Sequence, residues 1–456
     1  VILENRSRSQ LERRLGLFPL TNIVIANMVG SGIFTTSGLL MSDLGDPLLL
    51  LGLWVVGGVI AFCGALAYGQ LGVAMPDAGG EYAFLSKLYH PFFGFLSGWS
   101  SFVVGFSAPI AASAIGFSEY FIRACPHLSF WGDPAILKKI LAICVILLFT
   151  GIHMRGIEFG ARIQNVLTVS KVALVTCLIL GGLVLGSGSL HHFSQGSAFS
   201  FSFEGWKKLG LALMWIMFAY SGWNASTYIG SEIRNPTKNL PRSLFLGTGV
   251  VMLLYILLNI IFIYAVPPEE MKGVISIGGL AAGKLFGSSV EGIFSLLISF
   301  ALFSSLSAFI ILGPRIYYAM AKDRLFFEGL VHVHPKFKVP TRSIALQGAI
   351  SAVMVLSGTF DQILTVMGFA LGIFPLLAVA GVFRLKLSGT TSNTFSGYPW
   401  APLIYLATGV CILLLSFFQR PTESSIAILS VLTGVPAYVY FRRKRIDKSF
   451  GNPPFV

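Results

Sequence analysis

Charge is what this 456-residue sequence has least of: Asp, Glu, Lys and Arg make up 11% of it, against 55% hydrophobic residues. So small a polar share cannot cover the surface of a water-soluble protein of this size, which leaves a polytopic membrane protein. Polar/apolar alternation is missing as well. The apolar runs are about 20 residues long, the length a helix needs to cross hydrocarbon, so barrel strands are excluded and an all-α architecture is expected. No Cys-x-x-Cys pair occurs. Cys63, Cys125, Cys144, Cys177 and Cys411 are scattered, four of them inside apolar runs, and read as packing residues rather than metal ligands or a disulfide framework. His191 and His192 fall in one loop and His332 and His334 in another, without the spacing of a metal site. Neither a catalytic constellation nor a pore ring or filter repeat is present, which sets aside a membrane enzyme and a channel. No cofactor is implied.

Twelve apolar spans are predicted, at 17–42, 48–74, 91–122, 135–153, 160–186, 208–232, 242–266, 289–321, 343–358, 362–384, 398–419 and 425–441. The first follows a basic start and reads as a true span rather than a cleavable signal. Loops on the side of the N-terminus, together with both tails, carry 23 Lys and Arg, and the opposite loops carry 8. The positive-inside rule then places both termini in the cytoplasm. The net charge of +13 arises from that face and from the run Arg442-Arg443-Lys444-Arg445, which suits contact with anionic lipid; no nucleic-acid partner is implied.

Two spans are interrupted. Gly30-Ser31-Gly32 falls inside the first and Phe218-Ala219-Tyr220-Ser221-Gly222-Trp223-Asn224 inside the sixth. An unpaired backbone group costs several kcal/mol in hydrocarbon, so a broken helix survives only in protein or beside a wet cavity. Paired breaks in two halves point to a transporter's substrate site near the midplane. Five spans separate the breaks. Five is odd, so the second half enters from the opposite side and the repeat is inverted. The expected units are a tail at 1–15, repeats at 16–186 and 204–386, a final helix pair at 398–441 and a basic tail at 442–456.

The broken ends have opposite polarity. The half-helix starting near Ser31-Gly32-Ile33 offers free N–H groups and a positive dipole end, suited to a carboxylate. The half-helix ending near Phe218-Ala219 leaves carbonyls suited to an ammonium. A zwitterionic α-amino acid matches both, although a carboxylate with a metal ion would satisfy the same groups. Lys171 lies roughly 12 Å of helix from the start of its apolar run, beyond easy snorkelling reach, and charges there usually carry function. It serves either as a fixed cation where another transporter holds Na⁺ or as a group that takes up and releases a proton. A third reading has it merely bonded to carbonyls of a broken neighbour. Glu119, and Glu232 with Arg234, read as interfacial or gate-bracing; Ser304, Ser305 and Ser307 could line the cavity or bond their own helix.

These residues, with Pro76-Asp77-Ala78-Gly79-Gly80-Glu81-Tyr82, Arg162-Ile163-Gln164-Asn165, Asn235-Pro236, Pro241-Arg242 and Arg315-Ile316-Tyr317-Tyr318-Ala319-Met320, resemble the amino acid–polyamine–organocation transporters. The L-type amino acid branch is the nearest in pattern, over residues 16 to about 385. The resemblance implies a leucine-transporter-type five-plus-five fold with helices 1 and 6 broken, working by alternating access. It implies carboxylate binding by backbone around Gly30, Ser31, Gly32 and Ile33, and amine binding by carbonyls near Met28, Phe218, Ala219 and Ser221. Phe218 looks like the aromatic gate, Tyr220 and Asn224 would shape the side-chain pocket, and Lys171 takes the place of a sodium ion. Ser221 stands where many L-type members have glycine.

The expected activity is sodium-independent exchange of neutral L-amino acids in a plasma membrane, of bacterial inner-membrane type. The alternatives are proton-coupled symport, or exchange of cationic amino acids or polyamines; against the last, spans 1, 3, 6, 8 and 10 offer no obvious midplane acid. Animal members of the branch often join a single-span glycoprotein through an outer-loop cysteine. Cys125 occupies about that place, although the short tails and compact loops look bacterial.

Overall fold

The computed structural model describes residues 15–76, 79–131, 133–155, 157–197, 199–337, 339–387 and 397–450, without the side chains of 129–131, 157–165, 231, 232 and 445–450. The tail before Leu15, Asp77 and Ala78 of the Gly-Gly-Glu motif, the side chains of Arg162, Gln164, Asn165 and Glu232, and the end of the basic tail therefore fall outside the description.

Helices make up the fold. The first run is split into α1 (Leu17–Met28) and α2 (Ser31–Leu44), followed by α3 (Pro47–Ala74) and the short α4 (Gly80–Leu88). The third run is α5 (Pro91–Ser100), a π-helical turn at Ser101–Gly105, and α6 (Ser107–Ala124). Next come α7 (Pro134–His153), α8 (Ile157–Leu185) and α9 (Phe203–Ala219), the last giving way to a 3₁₀ segment at Ala225–Glu232. Then follow α10 (Pro236–Ala265), two loop helices α11 (Pro268–Met271) and α12 (Ile277–Phe286), and α13 (Ser288–Lys322). The chain closes with α14 (Thr341–Ser357), α15 (Phe360–Leu387), α16 (Trp400–Gln419), α17 (Pro421–Leu432) and α18 (Gly434–Phe450).

Ten helical runs among the described residues are long and apolar enough to cross a membrane. The remaining two predicted spans correspond to α9, interrupted after 17 residues, and α14, also 17 residues. Local chemistry sets the boundaries. The Asp46 carboxylate accepts from the Leu48 and Leu49 N–H groups with Pro47 opening α3, and Asp133 does the same for Ala135 ahead of Pro134 in α7. α2 stops at Gly45, whose φ of 65° is a left-handed cap.

α6 packs along α13, α3 along α10, and α9 along α16, with α1 and α2 at the centre. Close approach depends on missing side chains. A Cβ on Gly38 would stand 2.1 Å from the Val274 carbonyl oxygen, so only glycine lets α2 dock against the loop after α11. That loop answers with its own bond from Gly273 N–H to the Gly38 carbonyl (2.9 Å).

Candidate functional site

Only two residues, Val29 and Gly30, separate α1 from α2. Both are extended, Gly30 at φ −130°, ψ −158°, a conformation open to any residue. Glycine is therefore favoured here for space rather than for its dihedrals, mildly at Gly30 and strictly at Gly32. A Cβ on Gly30 would stand 3.2 Å from the Ser305 hydroxyl oxygen, and one on Gly32 would stand 2.4 Å from Ala219 Cα. The start of α2 is thus pressed against the end of α9. The first turn of α2 has no side-chain cap, which leaves its leading N–H groups as the free donors that the sequence suggests.

The carbonyls released at this break are taken up by other helices. In an unbroken helix the Ala26 carbonyl would bond the N–H of Gly30; here it accepts from Lys171 Nζ at 3.1 Å. Lys171 is fully buried and also reaches the Ser305 hydroxyl at 3.5 Å, which in turn donates to the Val29 carbonyl at 3.4 Å. Tyr255, buried at the middle of α10, places one hydroxyl 2.6 Å from the Met28 carbonyl and 3.0 Å from that of Ala219. A single phenol thus spans the C-terminal ends of both half-helices.

The second break is longer. From Tyr220 to Asn224 the chain turns through Gly222, whose φ of 92° is left-handed and whose Cα approaches so near Asn27 that a Cβ would meet its backbone at 2.9 Å. The Phe218 carbonyl accepts the N–H of Ser221 at 2.8 Å and keeps a second lone pair.

Beside this break lies a cavity of about 130 Å³. Phe218, Ser221 and Asn224 line it together with Asn27, while Ser97 and Ser101 of the third run form a facing wall. Of the other sequence-predicted site residues, Met28, Gly30, Ser31, Gly32, Ile33 and Ala219 sit at the junction of α1, α2 and α9, outside the lining. Tyr220 turns away altogether: its hydroxyl donates to the Trp54 carbonyl at 3.1 Å. Ser304 and Ser307 also face neighbours, Thr168 at 3.3 Å and His153 at 2.9 Å. Glu119 pairs with Lys138 at 2.8 Å. Cys125 is a free thiol, and no group of three metal-ligating side chains occurs among the described residues.

Comparison with known proteins matches residues 15–441 to the amino acid permease family. The chain belongs to that family. It is 29% identical to the serine/threonine exchanger SteT of Bacillus subtilis (strain 168), over 95% of this chain and 98% of that protein. It is 26% identical to the Asc-type amino acid transporter 1 of Mus musculus, over 96% of this chain and 83% of that protein. It is 28% identical to the large neutral amino acids transporter small subunit 2 of Rattus norvegicus, over 95% and 82%. Family and relatives alike are transporters, not enzymes.

Three parts of the permease site escape a reading of the sequence. Tyr255 is one tyrosine in an apolar run, with no local pattern to mark it. The π-helical turn at Ser101–Gly105, a feature frequent at functional sites, has only its small residues as a signal. Glu81 lines the cavity as a buried carboxylate. Glu81 reaches the cavity from α4, between the second and third runs, so it lies outside spans 1, 3, 6, 8 and 10, to which the expectation of no midplane acid applied. The Gly79-Gly80 pair ahead of it was the available signal.

Proposed function

We propose that this permease is a sodium-independent exchanger of neutral L-amino acids, both termini cytoplasmic, working by alternating access around the two breaks. The observation that carries the reading is the seat of Lys171. Its ammonium lies against the carbonyl freed by the first break and the hydroxyl of Ser305, where a sodium ion would need the same oxygens. A covalently tethered cation cannot travel with the substrate, so no sodium gradient is spent at this position.

The unbonded N–H groups at the start of α2 support carboxylate binding, and the Phe218 and Ser221 backbone beside the cavity supports amine binding. Ser97, Ser101 and Ser221 give the cavity hydroxyl groups, and relatives named for serine/threonine exchange and large neutral amino acid transport support a neutral substrate. The arginine and lysine excess on the N-terminal face supports the orientation.

Purified protein in sodium-free liposomes tests the reading, with labelled serine, threonine, alanine and leucine outside and unlabelled amino acid inside or absent. Uptake that needs internal amino acid and ignores sodium is the expected result. Uptake into empty vesicles driven by an inward proton gradient would replace exchange by symport. A requirement for sodium would overturn the role given to Lys171.

A further inference from the structure

Glu81 is a carboxylate that exchange itself does not call for. It stands in the first turn of α4, 6% exposed, and lines the cavity. Its Oε1 accepts from the Tyr68 hydroxyl of α3 at 2.8 Å and from Asn224 Nδ2 at 2.6 Å, and its Oε2 accepts from the Tyr228 hydroxyl. Asn224 closes the second break, Tyr228 belongs to the segment that follows it, and Tyr68 belongs to α3.

The backbone is shaped for this contact. Gly79 and Gly80 have φ of 130° and 53°, and a Cβ on Gly80 would lie 2.3 Å from the Tyr228 ring. Replacing either glycine would strain the turn, and at Gly80 would also push Tyr228 off α4. Trp223 reinforces the joint, its ring edge-on to Tyr68 at 4.7 Å between centroids.

The chemistry of the joint is unusual. No cation lies within ion-pair distance of Glu81 among the described residues, so three neutral donors carry its whole charge. Bonds to an ionised acceptor are roughly twice as strong as neutral ones, so the joint holds while the cavity is dry. Water solvates a carboxylate at least as well as three protein donors do, so the same joint loosens once water fills the cavity.

On the opposite half, α2 is tied to its neighbours by hydrogen bonds between neutral groups. The Tyr120 hydroxyl donates to the Phe34 carbonyl and accepts the Gly278 N–H at 2.9 Å, fixing α12 across α2, and Ser37 donates to Asn259 at 2.7 Å. What remains to move is the wall on the N-terminal face, where Ala225–Glu232 meets α4.

We propose that Glu81 is the latch of that wall: its carboxylate holds the segment after the second break against α3 and α4, and its transfer from three protein donors to water opens the cavity to the N-terminal face. The proposal rests on the alternating-access reading above. It makes Glu81 a positioning residue, acting through Asn224 and Tyr228 rather than on substrate.

The test uses full-length protein in lipid nanodiscs, its five cysteines replaced by serine and Ser97→Cys introduced in the cavity wall. The rate of labelling by a bulky hydrophilic maleimide reports opening without any need for flux. Glu81→Gln keeps the volume but sets an amide NH₂ against the donors, and labelling should rise about tenfold, the effect of weakening one or two charge-assisted bonds. Tyr228→Phe should act in the same direction by a smaller factor, and Glu81→Asp should restore part of the slow labelling. Unchanged labelling in both Glu81→Gln and Tyr228→Phe would overturn the latch. A tenfold rise in a protein that shows no amino acid exchange in liposomes would sustain the latch and count against the exchanger reading instead.

Discussion

The two broken helices differ in what they do with the groups they release. At the first break two residues are extended, and three of the carbonyls it frees have protein partners: Lys171 for Ala26, Ser305 for Val29, Tyr255 for Met28. At the second break five residues turn between Ala219 and Ala225, and four of them, Ser221, Gly222, Trp223 and Asn224, border the cavity directly. The freed carbonyls of the first break are therefore an anchoring joint tied to α8, α10 and α13, and the second break borders the cavity proposed to receive substrate. On the proposed reading, breaks that look equivalent in sequence divide the work: the carbonyls of the first hold the architecture in register, and the second presents backbone to a ligand whose carboxylate meets the start of α2.

The sharpest way to break that division is at a point where both halves touch. Gly32→Val puts branched carbon where only 2.4 Å separates a Cβ from Ala219 Cα, so α2 and α9 must part. Overpacking typically costs about 1–3 kcal/mol where side chains can yield, and here backbone opposes it. Exchange should fall to background in liposomes while the protein still inserts and elutes as a single species. Substantial exchange by this variant would show that the contact between the breaks is dispensable.

Lys171→Met keeps much of the volume and removes the ammonium, leaving the Ala26 carbonyl without its donor. An unsatisfied buried acceptor costs about 1–3 kcal/mol, so the melting temperature in detergent should drop by a few degrees. Exchange should fall at least about tenfold, more than that loss of stability explains. If the variant melts lower but exchanges at the normal rate, Lys171 is a structural donor to a broken helix and nothing more.

Tyr255→Phe separates the two joints by a single atom. Its hydroxyl serves the Met28 and Ala219 carbonyls together, and its loss should cost about 1 kcal/mol and slow exchange several-fold, with little change in apparent affinity. A large rise in KM with an unchanged maximal rate would move Tyr255 from the anchoring joint to the substrate surface.

How much of this was legible depends on whether a feature is local. The all-helical membrane architecture follows from run length and low charge, and both breaks follow from small residues inside apolar runs. Lys171 stands out because a charge at membrane depth is costly wherever it points. Tyr255 and Glu81 are different, since their meaning lies in partners far away in sequence: Met28 is 227 residues from Tyr255, and Tyr228 is 147 from Glu81. A tyrosine in an apolar run and a glutamate after two glycines become informative only when packing brings those partners to them. Tyr220 shows the converse. Phe218 and Ser221 of the same motif border the cavity, while the Tyr220 ring points to α3.

Tyr220 also gives the smallest expected effect and the cleanest control for the comparison. The ring stacks in a buried aromatic group with Trp54 and Tyr255, at 5.8 and 5.0 Å between centroids, and its hydroxyl bonds only the Trp54 carbonyl. Tyr220→Phe preserves both ring contacts and removes one neutral hydrogen bond, worth about 0.5–1.5 kcal/mol. The melting temperature should fall slightly and KM for neutral amino acids should stay within about twofold, since a loss of 0.4 kcal/mol or less is all that such a change represents. Substrate selectivity across a panel of side chains should also be preserved. A change in that selectivity would place the Tyr220 hydroxyl in contact with substrate during some stage of the cycle, and the surface offered by the second break would then extend one residue toward α9.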